Sequence, residues 1–385
     1  MRKRRWRSLL TALHKYLGLC LGVLFVLSGL TGSVLVFRHE LDAWLNPHIL
    51  RSQPHGRASR PLADIVVAAR SALPEGTPIR LVAPRNESGV YQVFFRVPDP
   101  AVVRVEVAVD PYDGKVRAVR EWGGYAISWL YRLHESLLLG RIGHAALGWC
   151  GLAILVLLLS GLWLWWPRRG AWPQALVFRS GAGTARRLFD VHRLGGVYGL
   201  VVVLVIVSCG VAMVFEETLE TWVARISPLS DPLAGYEAAA ASAAPAIDVD
   251  QVLAIADRTL PQGRWRRIFL PSRPGEPYRV EKAAPDDAFQ TGGLRRVWVE
   301  PADGRVIAVS TPDRFTAGET LLAWIFPLHN GEAFGWAGRL LVCLAGLLPA
   351  LLYGSGLWLW WRKCRKRQSV TVAQPPCAAP RHCRD

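Results

Sequence analysis

The sequence predicts an α-helical membrane protein. Four transmembrane helices are expected in a helix–domain–helix unit that occurs twice, with two small α+β domains outside the bilayer. Three observations carry this expectation: four long apolar runs, a net charge confined to three short tracts, and motifs that recur at constant offsets. The chain has 385 residues, 51 % of them hydrophobic, a net charge of +16 and a mean hydropathy of +0.20. That hydrophobicity excludes a disordered chain, which needs too few apolar groups to collapse. The hydropathy also argues against an ordinary soluble enzyme, and a pI near 10.1 asks for an anionic partner, nucleic acid or membrane.

The apolar runs cover 8–37, 145–166, 188–215 and 339–361. Each holds enough apolar residues to cross a hydrocarbon core of about 30 Å. The first follows five basic side chains within residues 1–7. It is too long for a signal-peptide core and lacks a small-residue cleavage site, so it reads as a retained anchor.

Position decides what the charge means. Residues 1–7 carry +5, residues 167–193 carry +5 and residues 362–385 carry +6, which together is the whole net charge. Elsewhere 28 basic side chains balance 28 acidic ones. The positive-inside rule then puts the N-terminus, the middle loop and the tail in the cytoplasm. The basic tracts act as topology signals toward the lipid bilayer and require no nucleic acid. The segments between them lie outside, which in a bacterium is the periplasm of the inner membrane. Tryptophans support this: Trp163, Trp165 and Trp166, and again Trp358, Trp360 and Trp361, directly precede basic tracts. That is where an aromatic belt sits.

The expected organisation is therefore 1–7 cytoplasmic, 8–37 first span, 38–127 first outside domain, 128–166 interfacial helix plus second span, and 167–187 cytoplasmic loop. It continues with 188–215 third span, 216–320 second outside domain, 321–361 interfacial helix plus fourth span, and 362–385 cytoplasmic tail. The repeat is explicit. Leu133-His134 through Trp166 matches Leu328-His329 through Trp361 at offset 195, and Leu13-His14 matches Val191-His192 at offset 178. Val109-Asp110-Pro111-Tyr112-Asp113-Gly114 matches Val299-Glu300-Pro301-Ala302-Asp303-Gly304 at offset 190. Both halves run inward, outward, inward, so the repeat is parallel, about an axis along the membrane normal. The Ala-rich 234–246 stretch accounts for part of the extra length of the second half.

Each outside domain reads as a helix followed by strands: 62–73, then 79–82, 90–97, 102–109 and 116–119; and 249–260, then 265–270, 278–280 and 297–300. Asp113-Gly114 and Asp303-Gly304 are hairpin signals. Neither domain contains a cysteine, so neither depends on disulfides. No Cys-x-x-Cys-His occurs, which excludes covalent haem attachment. Cys364, Cys377 and Cys383 of the tail read as reduced thiols.

The chemistry then falls to histidine. The repeat pairs His14 with His192 near the cytoplasmic face, and His134 with His329 on the outer side. Two imidazoles brought together from two helices are what a bis-His haem iron needs, and ionisable groups within a span are functional candidates. Gly18, Gly22, Gly195, Gly196 and Gly199 are expected to admit a ring or a neighbouring helix. The structural alternative for His14 and His192 is helix-end hydrogen bonding, and for His134 and His329 an interfacial amphipathic helix. His134 precedes Trp165 by 31 residues. A straight helix of that length spans about 46 Å, so a bend near Gly140 and Gly143 is expected. His144 faces Arg339 in the repeat and His39 faces Glu217, which leaves both as reserve ligands; His48, His55 and His382 read as loop residues.

On the His motifs, the paired Asp-Gly turns, Gly140 and Gly143 mirrored by Gly335 and Gly338, and the two Ser-Gly-Leu-Trp-Leu-Trp-Trp endings, the chain resembles the PepSY-associated transmembrane family. Within it, the resemblance is to bacterial inner-membrane ferric-siderophore reductases. It implies two b-type haems held by His14 with His192 and by His134 with His329 as axial ligands. It also implies two PepSY-like outside domains, a ferric siderophore as substrate, and a quinol or cytoplasmic reductase as donor. No residue serves as general acid or base in such a reaction. No Rossmann fingerprint or P-loop is present, so no NAD, FAD or ATP site is expected. Two other classes stay open at this stage: a non-redox membrane protein that binds or regulates a periplasmic partner such as a peptidase, and an iron or chelate permease.

Overall fold

The computed structural model describes residues 2–372, apart from 55, 57, 100–101, 180, 182, 238–246, 286, 288 and 291–292. His55, His382, Cys377, Cys383 and most of the Ala-rich stretch therefore lie outside the described residues. Along the chain, α1 (Arg2–Leu35) is one continuous apolar helix, followed by the short α2 (Arg38–Leu45) and α3 (Pro47–Leu50). Then come α4 (Leu62–Ala72), β1 (Thr77–Val82), β2 (Tyr91–Arg96), β3 (Val105–Val109) and β4 (Val116–Glu121). Next are α5 (Ala126–Ser136), α6 (Gly140–Trp165), α7 (Trp172–Leu176), α8 (Thr184–Val214) and α9 (Glu216–Ala224). α10 (Val249–Thr259), β5 (Arg264–Phe269), β6 (Tyr278–Ala283), β7 (Arg295–Val299) and β8 (Val306–Ser310) follow, then α11 (Ala317–Asn330), α12 (Gly335–Ala345) and α13 (Leu348–Val372). Four helical segments, Arg5–Leu35, Gly140–Trp165, Thr184–Val214 and Glu332–Arg365, are long and apolar enough to cross a membrane. They fall on the four runs read from the sequence.

The chain divides into two units. The first comprises 1–30, 152–204 and 344–385; the second comprises 31–151 and 205–343. In the first, helices meet at small residues. A Cβ on Gly22 would run into the Tyr353 ring, and one on Gly199 into Leu348.

Among the described residues the second unit contains all eight strands, in one antiparallel sheet ordered β4-β3-β2-β1-β5-β6-β7-β8. This changes the expectation of two separate outside domains. β1 pairs directly with β5, Leu81 opposite Ile268, so the two four-stranded halves share one sheet. The physical reason is edge protection: β1 and β5 each offer an unpaired ladder that the other satisfies. α4 and α10 cover one face, burying Ile65, Ala69, Val252 and Ala256 against Val93, Phe95, Val107 and Val280. The two helices are also linked. Both Asp250 oxygens accept the free N–H groups of Leu62 and Ala63 at 2.8 Å, capping an α4 whose own N-cap, Pro61, has no side-chain donor or acceptor.

The Asp-Gly turns form as read. Gly114 and Gly304 adopt φ of 72° and 76°, and Asp113 and Asp303 accept the N–H groups of Lys115 and Arg305. On the opposite face, buried Arg120 makes a bidentate pair with Asp42 of α2 at 3.0–3.1 Å and a bond to Glu106 of β3 at 2.6 Å. The Tyr125 hydroxyl donates to the other Glu106 oxygen. This closed network ties α2 to the sheet.

Candidate functional site: two imidazole pairs

The approach to the second span is not a bent helix, as the sequence suggested, but a break. α5 ends at Ser136, Leu137 and Leu138 take φ of 52° and 63°, and α6 restarts at Gly140 with φ 57°. A Cβ on Gly143 would collide with the Ser136 carbonyl, so the return requires a glycine there. The same break follows α11, where Gly331 and Gly335 take φ of 82° and 58° and a Cβ on Gly338 would strike the Gly331 carbonyl. Left-handed backbone is costly for leucine and cheap for glycine, so the first break is the more strained. The break turns α5 back, so His134 packs against the C-terminal end of α1 at Thr31 and Gly32.

In the first unit His14 of α1 and His192 of α8 face each other, with ring centres 6.3 Å apart and planes at 88°. His14 Nδ1 lies 3.1 Å from Leu157 O and from Ser160 Oγ; His192 Nδ1 lies 3.0 Å from Leu352 O and from Ser355 Oγ. A carbonyl only accepts, so Nδ1 carries the proton in both rings and Nε2 keeps its lone pair. The Cε1 edges rest on glycines, 2.9 Å from where a Gly161 Cβ would be and 3.2 Å from a Gly356 Cβ.

In the second unit His134 of α5 and His329 of α11 have ring centres 6.2 Å apart and planes at 52°. His329 Nδ1 donates to Ile206 O at 2.9 Å, and His134 Nδ1 pairs with the Thr31 hydroxyl at 2.8 Å. Their Cε1 edges lie 3.1 Å and 3.2 Å from where Cβ atoms of Gly32 and Gly210 would be. Among the described residues no hydrogen bond is made by Nε2 of His14, His192 or His329.

A first-row metal binds an imidazole nitrogen at about 2.0 Å, and the ring centre lies roughly 1.2 Å behind that nitrogen. Two such ligands on opposite sides of one metal put their ring centres about 6.4 Å apart, close to the separation in both pairs. Among the described residues no group of three or more His, Cys, Asp and Glu could hold a bare metal ion. A pair of imidazoles alone is short of ligands, whereas a porphyrin brings four nitrogens of its own and needs only the two axial ones. The residues present thus fit a bis-His haem in each unit.

The reserve ligands take other roles. His144 Nδ1 donates to Glu135 O at 2.9 Å and fastens the break after α5. Its counterpart Arg339 bonds Val36 O and Glu40 at 2.9 Å and 2.8 Å. His39 joins neither pair. Its imidazole is held well below the usual histidine range by burial and then by Arg85, Arg38 and Arg339, and its Nε2 has no partner. His48 is exposed. Of the glycines singled out from the sequence, Gly22 and Gly199 serve helix packing; those on the imidazoles are Gly161, Gly356, Gly32 and Gly210. The repeat contained them. Ser160-Gly161 and Ser355-Gly356 share offset 195, and Gly32 and Gly210 share offset 178.

Fold and site together define a polytopic membrane protein with a sheet-bearing unit and two histidine pairs. The chain belongs to the family described as the PepSY-associated TM region, whose model matches residues 11–363. No curated protein matches it.

Proposed function

We propose that the protein is a haem-containing transmembrane electron conduit of the bacterial inner membrane, which reduces ferric-siderophore iron in the periplasm and releases Fe(II). The observation that carries this reading is the spacing of the two pairs, 6.3 Å and 6.2 Å between ring centres, with Nδ1 engaged elsewhere. In this reading His14 with His192, and His134 with His329, would hold two b-type haems. When bound, each haem would supply a one-electron iron couple, and two imidazoles given over to holding it would suit electron transfer over oxygen chemistry. The chain's own part is to hold the rings. Leu157, Leu352 and Ile206 carbonyls set the tautomer and orientation, and such outer partners raise the basicity of the liganding nitrogen.

The basic tracts orient the chain with His14 and His192 toward the cytoplasm, where a quinol or a cytoplasmic reductase would donate. His134 and His329 then serve the outer side. There Fe(III) sits in hard oxygen ligands that hold Fe(II) much less tightly, so one electron frees the metal with the chelator intact.

Detergent-purified protein should show a b-type absorption spectrum that shifts on dithionite, with about two haems per chain. The prereduced protein should then be reoxidised by a ferric siderophore. A protein that stays colourless after haem supplementation would sink the proposal.

A further inference from the structure

The face of the sheet away from α4 and α10 carries an unusual series. Strand parity puts Arg80, Phe94, Glu106, Arg120, Phe269, Arg279 and Glu281 on it, since Leu81, Val93, Ile268 and Val280 face the core. Guanidinium groups and aromatic rings alternate across it. Arg104 lies 3.8 Å from the Trp122 ring centre and 5.7 Å from Phe94; Arg80 lies 4.4 Å from Phe94 and 5.8 Å from Phe269; Arg279 lies 3.9 Å from Phe269. This ladder crosses the β1–β5 junction and links both halves of the sheet.

Charge on this face is not balanced. Glu281 is shared by Arg267, Arg279 and Arg296, and Arg120 takes both Asp42 and Glu106. Among the described residues, Arg80 and Arg104, the two inner rungs, have no carboxylate within ion-pair distance and the Nε of each is shielded without a partner; Glu281 and Glu106 act on Arg80, and Glu135 and Glu106 on Arg104, only from further off. Burial, and then Arg104 and Arg267, draw Arg80 down to about 10. Two half-buried guanidiniums with no carboxylate in contact, stacked on aromatic faces, leave positive charge that a bound anion would neutralise.

We infer that this ladder is the seat of the oxidised substrate, and that the substrate class is an anionic, aromatic ferric chelate of the catecholate type. Three doubly deprotonated catechols around Fe(III) form a trianionic complex. Its flat rings can stack on Arg80, Phe94 and Arg104, and its negative oxygens face the guanidinium N–H groups. A neutral tris-hydroxamate chelate offers neither the charge nor the rings. The inference rests on the reductase reading but concerns binding alone.

The test uses gallium(III), which adopts the same chelates and is not reduced. Isothermal titration of the full-length protein, in nanodiscs of zwitterionic lipid, should show gallium tris-catecholate binding at least about tenfold more tightly than neutral gallium tris-hydroxamate. Arg80→Gln with Arg104→Gln should abolish that preference and leave the haem spectrum unchanged, while Arg80→Lys, which keeps charge without the planar face, should fall between. Equal affinity for the two chelates would overturn the inference, even if the double variant does not fold. So would unchanged binding in a folded double variant, or no binding of either chelate. A colourless protein that still prefers the catecholate would sink the conduit and spare the site; a two-haem protein indifferent to chelate charge would do the reverse.

Discussion

His14 and His192 present their rings to each other at 88° across 6.3 Å, each anchored by Nδ1 to a carbonyl of a different helix. Neither ring is free to turn and satisfy the other, because Nδ1 is already engaged. His14→Ala or His192→Ala should therefore each remove one haem of two and leave the other. Pyridine-haemochrome analysis per mole of protein reads this directly; retention of both haems would refute the pairing.

The glycines against the ring edges make a sharper prediction. A Cβ at Gly161 would stand 2.9 Å from His14 Cε1, closer than side chains tolerate. Gly161→Val should lower haem content to about half with membrane insertion intact, as His14→Ala does. Gly195→Ala is the control, since its Cβ would meet only Leu351 and Leu352 at 3.5 Å and 3.6 Å.

Gly143 carries no histidine contact, yet it should matter for the outer pair alone. Its missing Cβ lets α6 start beneath the Ser136 carbonyl, and that return holds His134 at Thr31. Gly143→Val should convert a two-step potentiometric titration into a single step at the inner potential.

Arg120 is buried between two carboxylates. Arg120→Met leaves Asp42 and Glu106 facing each other without a cation, at a cost of about 3–5 kcal/mol. Thermal unfolding of the purified protein should show a lower transition for the sheet-bearing unit, with the Soret band of the inner pair lost only later.

Asp110 sets the acid limit of the first turn. Burial would raise its carboxyl, but hydrogen bonds from Ser52, Arg117, Tyr112 and Asp113 outweigh burial and hold it at about 2. The folded value lies below the unfolded one of about 3.9. Its contribution is thus complete above the unfolded value and disappears as pH falls through about 2. The share of stability due to Asp110 should be flat from neutral pH to about 4 and decline below. In Asp110→Asn that acid decline should be shallower, as read by unfolding midpoints against pH.

Much of this was legible because it is periodic or positional. Apolar runs, basic tracts and Asp-Gly turns are local signals, and the spans and strands fall on them. The offsets of 195 and 178 pair His134 with His329 and His14 with His192. The same offsets contained Gly161 with Gly356 and Gly32 with Gly210, but a glycine's role depends on what approaches it. Only the packed helices reveal that the neighbour is an imidazole edge.

By itself, then, the sequence determined which segments are long and apolar enough to cross a membrane, where along the chain the net charge lies, and which histidines are equivalent in the repeat. It could do so because hydropathy, net charge and self-similarity are properties of the chain alone. Tertiary structure decided that α5 breaks and folds back at Leu137 and Leu138, and that β1 meets β5 in one continuous sheet. It also decided that Arg80 and Arg104 stand on the aromatic faces of Phe94 and Trp122. These depend on backbone conformation and on neighbours far apart in sequence, which no local pattern encodes.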